Sequence, residues 1–112
     1  MRLIKKKIMP ERKFLKVLDI SCCNELNDTN IKKVTEVFTK LEVLKIGRNK
    51  LLTDESNKSI AKNLAQLQYA DISCPLMTPA GLYTIHKHCP QLVQVTIGST
   101  HQLLSAIYRR KA

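Results

Sequence analysis

LEVLKIGRNKLLTDE, residues 41–55, decides how this chain is read. Its apolar residues fall at Leu41, Leu44, Ile46 and Leu51, with Asn49 between the last two. That spacing matches neither the 3.6-residue period of a helix nor the alternation of a plain strand. The same shape returns as LKVLDI from Leu15, LQYADI from Leu67 and LVQVTI from Leu92, at steps of 26, 26 and 25 residues. Leu18, Leu44, Ala70 and Val95 hold the fourth place, and Ile20, Ile46, Ile72 and Ile97 the sixth. Cys23, Asn49, Pro75 and Thr100 hold the ninth.

The segments between these stretches also superpose. LNDTNIKKVTEVF, LTDESNKSIAKNL and MTPAGLYTIHKHC share one register if the third unit is one residue shorter. Val34, Ile60 and Ile85 then coincide, as do Phe38, Leu64 and Cys89 four residues later; Ile31 and Leu82 match, with Asn57 in the middle unit. Apolar residues at i, i+3 and i+7 predict one buried face of a helix. Asp28 and Asp54 stand where a carboxylate accepts backbone N–H groups at a helix start, and Thr78 with Pro79 makes a third start. Each unit therefore reads as strand, turn and helix, and such units stack into a parallel sheet backed by helices.

Residues 41–55 thus resemble a leucine-rich repeat, L-x-x-L-x-L-x-x-N/C-x-L, with Leu41, Leu44, Ile46, Asn49 and Leu51 in its places. The period, the CC after the first strand, LTD before a helix and HCPQL at a unit junction are similar to the cysteine-containing, ribonuclease-inhibitor-like subclass. That subclass includes F-box/leucine-rich-repeat proteins and the ATP synthase coupling factor B family. The resemblance implies a short α/β solenoid of about four repeats, with parallel strands on the concave face and helices on the convex face. It implies one domain over 1–112: a basic N-terminal cap or partial repeat (1–13), repeats at 14–40, 41–66 and 67–91, and a partial repeat with a C-terminal cap (92–112). Leu3, Ile4 and Ile8 are expected in a covering helix, and Leu103, Leu104, Ile107 and Tyr108 in a closing one. In the family the ninth-place Asn or Cys serves the turn after the strand, a role that falls to Asn49 and Cys23.

In such an array the third and fifth residues of each unit face the concave side. The third-place column is Val17, Val43, Tyr69 and Gln94; the fifth is Asp19, Lys45, Asp71 and Thr96. Ser21, Gly47, Ser73 and Gly98 follow in the seventh. Adjacent strands lie about 4.8 Å apart, so Lys45 is expected between the two aspartates. An apolar column on an open sheet face has little structural purpose, and Tyr is a favoured anchor at interfaces. These eight third- and fifth-place residues are the expected partner-binding set.

The net charge is +10 over 112 residues, but it is concentrated at the ends. Residues 1–13 carry +5, residues 109–112 carry +3, and the rest only +2. Lys5, Lys6, Lys7, Arg109 and Arg110 are expected to meet an acidic surface, RNA phosphate or anionic lipid. No aromatic residues interleave the basic runs, so base stacking is not expected. Four cysteines with no secretory signal point to an intracellular, reducing compartment, cytoplasm or nucleus, with the mitochondrion as a further candidate. No apolar run is long enough to span a bilayer.

No G-x-S-x-G, phosphate-binding glycine loop or H-E-x-x-H is present, so the chain is expected not to be an enzyme and to need no cofactor. His86, His88 and Cys89 form H-x-H-C, but two residues on a helix point to different sides, and Cys89 shares the core register. No metal site is expected. The expected function is a protein–protein interaction module, adaptor-like and linked through the resemblance to ubiquitin ligase substrate recognition. Fourteen residues precede Leu15, too few for a helical F-box. The alternative is a structural or assembly component of a large mitochondrial or ribonucleoprotein complex, anchored by its basic termini.

Overall fold

The computed structural model describes residues 13–98 and, for the backbone, 105–109. It is an α/β fold with strands β1 (Val17–Asp19), β2 (Val43–Lys45), β3 (Tyr69–Asp71), β4 (Gln94–Gly98) and β5 (Ser105–Arg109) in one sheet of that order. The first four run parallel, each joined to the next by a helix: α1 (Asp28–Val37), α2 (Asp54–Asn63) and α3 (Pro79–His88). Where a closing helix is expected, residues 105–109 form β5 instead, antiparallel against β4 with Val95 opposite Tyr108; Leu103 and Leu104 lie outside the described residues. A segment this short fits either period, and the edge of β4 offers unpaired backbone groups that a strand satisfies. Leu3, Ile4 and Ile8 lie outside the described residues.

The core lies between sheet and helices. Leu44, Ala70 and Val95 point from the strands into it, and Ile31, Val34, Ile60, Leu64, Ile85 and Cys89 meet them from the helices. Removing each of these Leu, Ile and Val side chains from water contributes roughly 1.5–3 kcal/mol. Leu52, fully buried, fills the place expected for Leu51, which is 46% exposed. The cause is the turn: the N–H of Leu52 bonds to the Asn49 carbonyl at 3.4 Å, which swings Leu52 inward. Leu26 does the same on Cys23 and Met77 on Cys74, at 2.9 and 3.1 Å.

Cys74, not Pro75, is therefore the ninth-place equivalent in the third unit. Buried Asn49 donates to the carbonyls of Ile20 and Ile46 at 3.1 and 2.7 Å and accepts the Cys23 N–H at 2.8 Å. The Cys74 thiol reaches the Ile46 carbonyl at 3.1 Å, the corresponding bond one unit later. The missing residue of the third unit lies between Ile72 and Cys74, where the second unit has both Gly47 and Arg48. Cys22 and Arg48, the matching turn residues of the first two units, have left-handed backbones with φ of 59° and 58°. Cys23 occupies the expected place but is exposed, and its thiol lies 3.7 Å from the Ser21 carbonyl of its own turn.

The helix starts interlock. The caps are Asn27, Thr53 and Thr78, and Asp28 and Asp54 are the first helical residues rather than the caps. Each aspartate reaches across to the next unit. Asp28 accepts the Thr53 N–H and hydroxyl at 2.9 and 2.7 Å and the Ser56 hydroxyl at 2.6 Å. Asp54 accepts the Thr78 N–H at 3.0 Å and its hydroxyl. Asn27 instead closes a capping box with Asn30 inside its own unit. In the third unit Pro79 stands where the others have aspartate, so this ladder ends there.

Asn57, fully buried on α2, is a polar residue in an apolar register. Its amide nitrogen donates to Asp54 at 3.2 Å, and its carbonyl oxygen has no partner. Gly81 of α3 packs against it so closely that a Cβ there would lie 2.0 Å from the Asn57 amide nitrogen. Glycine at this point lets the two helices meet.

Candidate functional site

Alternation along each strand sends the fourth-place residue into the core and its neighbours to the opposite side of the sheet. The register aligns Val17, Val43, Tyr69 and Gln94 in one row and Asp19, Lys45, Asp71 and Thr96 in the next. The eight expected residues therefore share one face, and Lys45 lies between Asp19 and Asp71. Val17 is 57% and Tyr69 42% exposed, large values for apolar side chains in a sheet.

Two concavities share this face. A hollow of about 410 Å³ is lined by Val43, Tyr69 and Gln94. A larger trough of about 720 Å³, toward the strand ends, is lined by Asp19, Ser21, Cys22, Arg48 and Ser73 among others. Lys45, Asp71 and Thr96 border both, so the two are continuous. Ser21, Cys22, Arg48 and Ser73 were not in the expected binding set. Their signal was available: Cys22 and Arg48 are 26 residues apart, one unit, just beyond a strand.

The carboxylates of the trough are held locally. Asp19 accepts the Ser21 N–H at 3.0 Å, and Asp71 the Ser73 N–H at 3.0 Å. The Ser21 hydroxyl and N–H, with a smaller contribution from the charge of Lys45, hold the Asp19 carboxyl below its ordinary value. Gly47 makes room for Asp71: a Cβ on it would lie 3.1 Å from both carboxylate oxygens. Among the described residues the ion pairs are Lys16–Glu42 at 3.0 Å and Lys58–Glu55 at 2.9 Å. Neither Lys45 nor Arg48 is in an ion pair or a side-chain hydrogen bond there.

His86 and His88 lie in the last turn of α3 and Cys89 caps it, fully buried. No group of three or more His, Cys, Asp or Glu among the described residues is placed to hold a metal ion. No helix among them is long and apolar enough to cross a membrane. Lys5, Lys6, Lys7 and Arg110 lie outside the described residues, and Arg109 is described only as backbone at the end of β5.

No protein-family model matches the chain. It is similar to a Candida glabrata protein called antagonist of mitotic exit network protein 1, 39% identical over 62 residues. The matched part is 54% of this chain and 12% of that protein, so the chain spans a small fraction of this relative's length.

Proposed function

We propose that this chain is a non-enzymatic protein-binding module of the leucine-rich-repeat kind, whose contact surface is the strand face. The observation that carries the reading is the in-register row Val17–Val43–Tyr69, placed on the side of the sheet away from the helices. Apolar groups there add nothing to the core and are available to a partner. The ladder of Asp28, Asp54, Asn49 and Cys74 fixes the spacing between strands, so the surface is presented in one arrangement. The strand–helix units and the recurring Asn or Cys turn support the repeat assignment.

The family resemblance extends the proposal to an adaptor role in ubiquitin ligase substrate recognition. A regulatory partner is added to this proposal on the partial likeness to a protein named antagonist of mitotic exit network protein 1.

The test is recovery of partners from cells at moderate salt, with nuclease, by wild type and by Tyr69→Ala and Lys45→Glu variants. Both positions are exposed at the strand face, so the variants should keep the wild-type circular dichroism spectrum. A discrete set of proteins lost from both variants is the expected result. Partners kept by both variants, but lost on nuclease treatment or on deletion of residues 1–13, would sink this reading. That outcome would favour an assembly component held by its basic ends.

A further inference from the structure

We propose that Thr78 is a phosphorylation site for a proline-directed protein kinase, and that the phosphate breaks the bond by which Asp54 ties α3 to α2. The inference does not depend on the strand-face reading above.

Of the four prolines, only Pro79 follows a serine or threonine. A residue other than proline presents an N–H after the acceptor hydroxyl, and a kinase pocket that offers it no partner selects proline. Thr78 already has the extended backbone that a kinase cleft takes, with φ of −122° and ψ of 169°. Thr78, Pro79 and Ala80 are exposed, as is Leu76 two residues before the hydroxyl. Thr78 stands outside α3 as its cap, so transfer does not require the helix to unwind.

Thr53 is a control within the same chain. It caps α2 and donates its hydroxyl to Asp28, as Thr78 does to Asp54. Thr53, however, is half-buried and is followed by aspartate. The cap of the first unit is Asn27, which has no hydroxyl. The third unit joins hydroxyl, proline and exposure. Freeing the Thr78 hydroxyl opens a bond at the surface, whereas the Thr53 bond is partly buried.

Transfer forms a bond between Thr78 Oγ1 and the γ-phosphorus of ATP and breaks the bond from that phosphorus to the bridging oxygen. ADP leaves, and the hydroxyl proton passes to the base of the kinase. The product carries about −1.5 to −2 charge at neutral pH and no longer donates to Asp54. The Asp54 carboxylate cannot easily withdraw. It is held by the Thr78 N–H at 3.0 Å and the Asn57 amide at 3.2 Å, and a Cβ on Gly81 would lie 2.5 Å from its Oδ1. Glu55 adds a further negative charge to the same turn of α2. A phosphate at a helix start otherwise gains from the backbone N–H groups. Here it replaces a donor to a fixed carboxylate with a like charge, so the loss falls on the junction between α2 and α3.

The experiment treats the full chain with a purified proline-directed protein kinase, magnesium and ATP, and locates phosphate by peptide mass spectrometry. Wild type is compared with Thr78→Ala, Pro79→Ala and Asp54→Asn, each checked for folding by circular dichroism. Pro79→Ala keeps the hydroxyl and puts a good helix former at the start of α3. Folded wild type should gain phosphate at Thr78, and Pro79→Ala should do so about tenfold or more slowly. Thr78→Ala should gain none in that peptide. Phosphorylated wild type should melt about 5 °C or more below the unmodified chain. The drop should shrink to about half or less in Asp54→Asn, where the like charge is gone. Transfer only to heat-denatured chain, transfer as fast to Pro79→Ala, or phosphate elsewhere with Thr78 unmodified overturns the site. A melting temperature unchanged or raised by phosphate at Thr78, or a drop as large in Asp54→Asn, overturns the broken junction.

Discussion

The carboxylate of Asp28 holds Thr53, the cap of the following helix, by both its N–H and its hydroxyl, at 2.9 and 2.7 Å. A side chain at the start of one helix thereby fixes the start of the next. Such charge-assisted bonds are shorter and stronger than neutral ones. Asp28→Ala should cost about 2 kcal/mol and lower the melting temperature by roughly 10 °C. Urea denaturation and thermal melts of the purified chain measure it.

Acid should weaken the same contact. Burial pushes the Asp28 carboxyl up, but bonds from Ser56 and Thr53 outweigh it, so the group lies below its ordinary value. A carboxyl lowered on folding contributes stability above its unfolded value, near pH 4, and that contribution is lost as pH falls through the folded value. Melting temperatures between pH 7 and pH 2.5 should therefore fall less steeply below pH 4 in Asp28→Asn than in wild type. Equal slopes would show that Asp28 does not contribute.

Gly81→Ala should destabilise by about 2 kcal/mol, although alanine is the better helix former, because its Cβ collides with Asn57. Asn57→Ala removes the nearer obstacle and a buried oxygen without a partner, but leaves Asp54 Oδ1 2.5 Å from the added Cβ. The double variant should recover part of the loss, with Asp54 accounting for the rest. A double-mutant cycle from denaturation curves reads the coupling, and simple additivity would count against it.

Asn49→Ala leaves the Cys23 N–H and the carbonyls of Ile20 and Ile46 without this partner, at a cost of about 3 kcal/mol. Asn49→Cys should cost less, because Cys74 shows a thiol making the corresponding cross-unit bond. Chemical denaturation of the two variants gives the order. Cysteine no better than alanine would contradict the equivalence of positions 49 and 74.

Thiol reactivity should divide the cysteines. Burial pushes the Cys74 thiol up to about 11, so little thiolate is present at neutral pH. Cys89 is also buried, whereas Cys22 and Cys23 are exposed. Brief alkylation of the native chain followed by peptide mass spectrometry should label Cys22 and Cys23, with Cys74 and Cys89 reacting only after denaturation.

The strand positions and both surface rows were legible because a fixed period places each apolar residue relative to the last. Leu44, Ala70 and Val95 face the core for the reason the spacing gave. The third turn was harder. One residue is missing there, and apolar spacing cannot decide whether Cys74 or Pro75 takes the ninth place. The Met77 N–H bond to Cys74 and the Cys74 thiol's bond to Ile46, in another unit, distinguish them. The roles of Asp28 and Asp54 were hidden for the same reason, since their partners are about 25 residues away. Leu51 followed the family pattern too literally, while the turn on Asn49 carries Leu52 inward. Arg48 was missed although it stands one 26-residue period after Cys22, because apolar spacing does not mark a left-handed turn.

The bonds to the helix caps run one way in time as well as in space. Thr53 and Ser56 depend on Asp28, and Thr78 depends on Asp54, so each later start relies on a residue synthesised earlier. The first helix closes its own start through Asn27 and Asn30 and waits for nothing downstream. A ribosome releases these units in the order in which they can be received. Growth from the first helix is the direction in which no cap emerges before its acceptor.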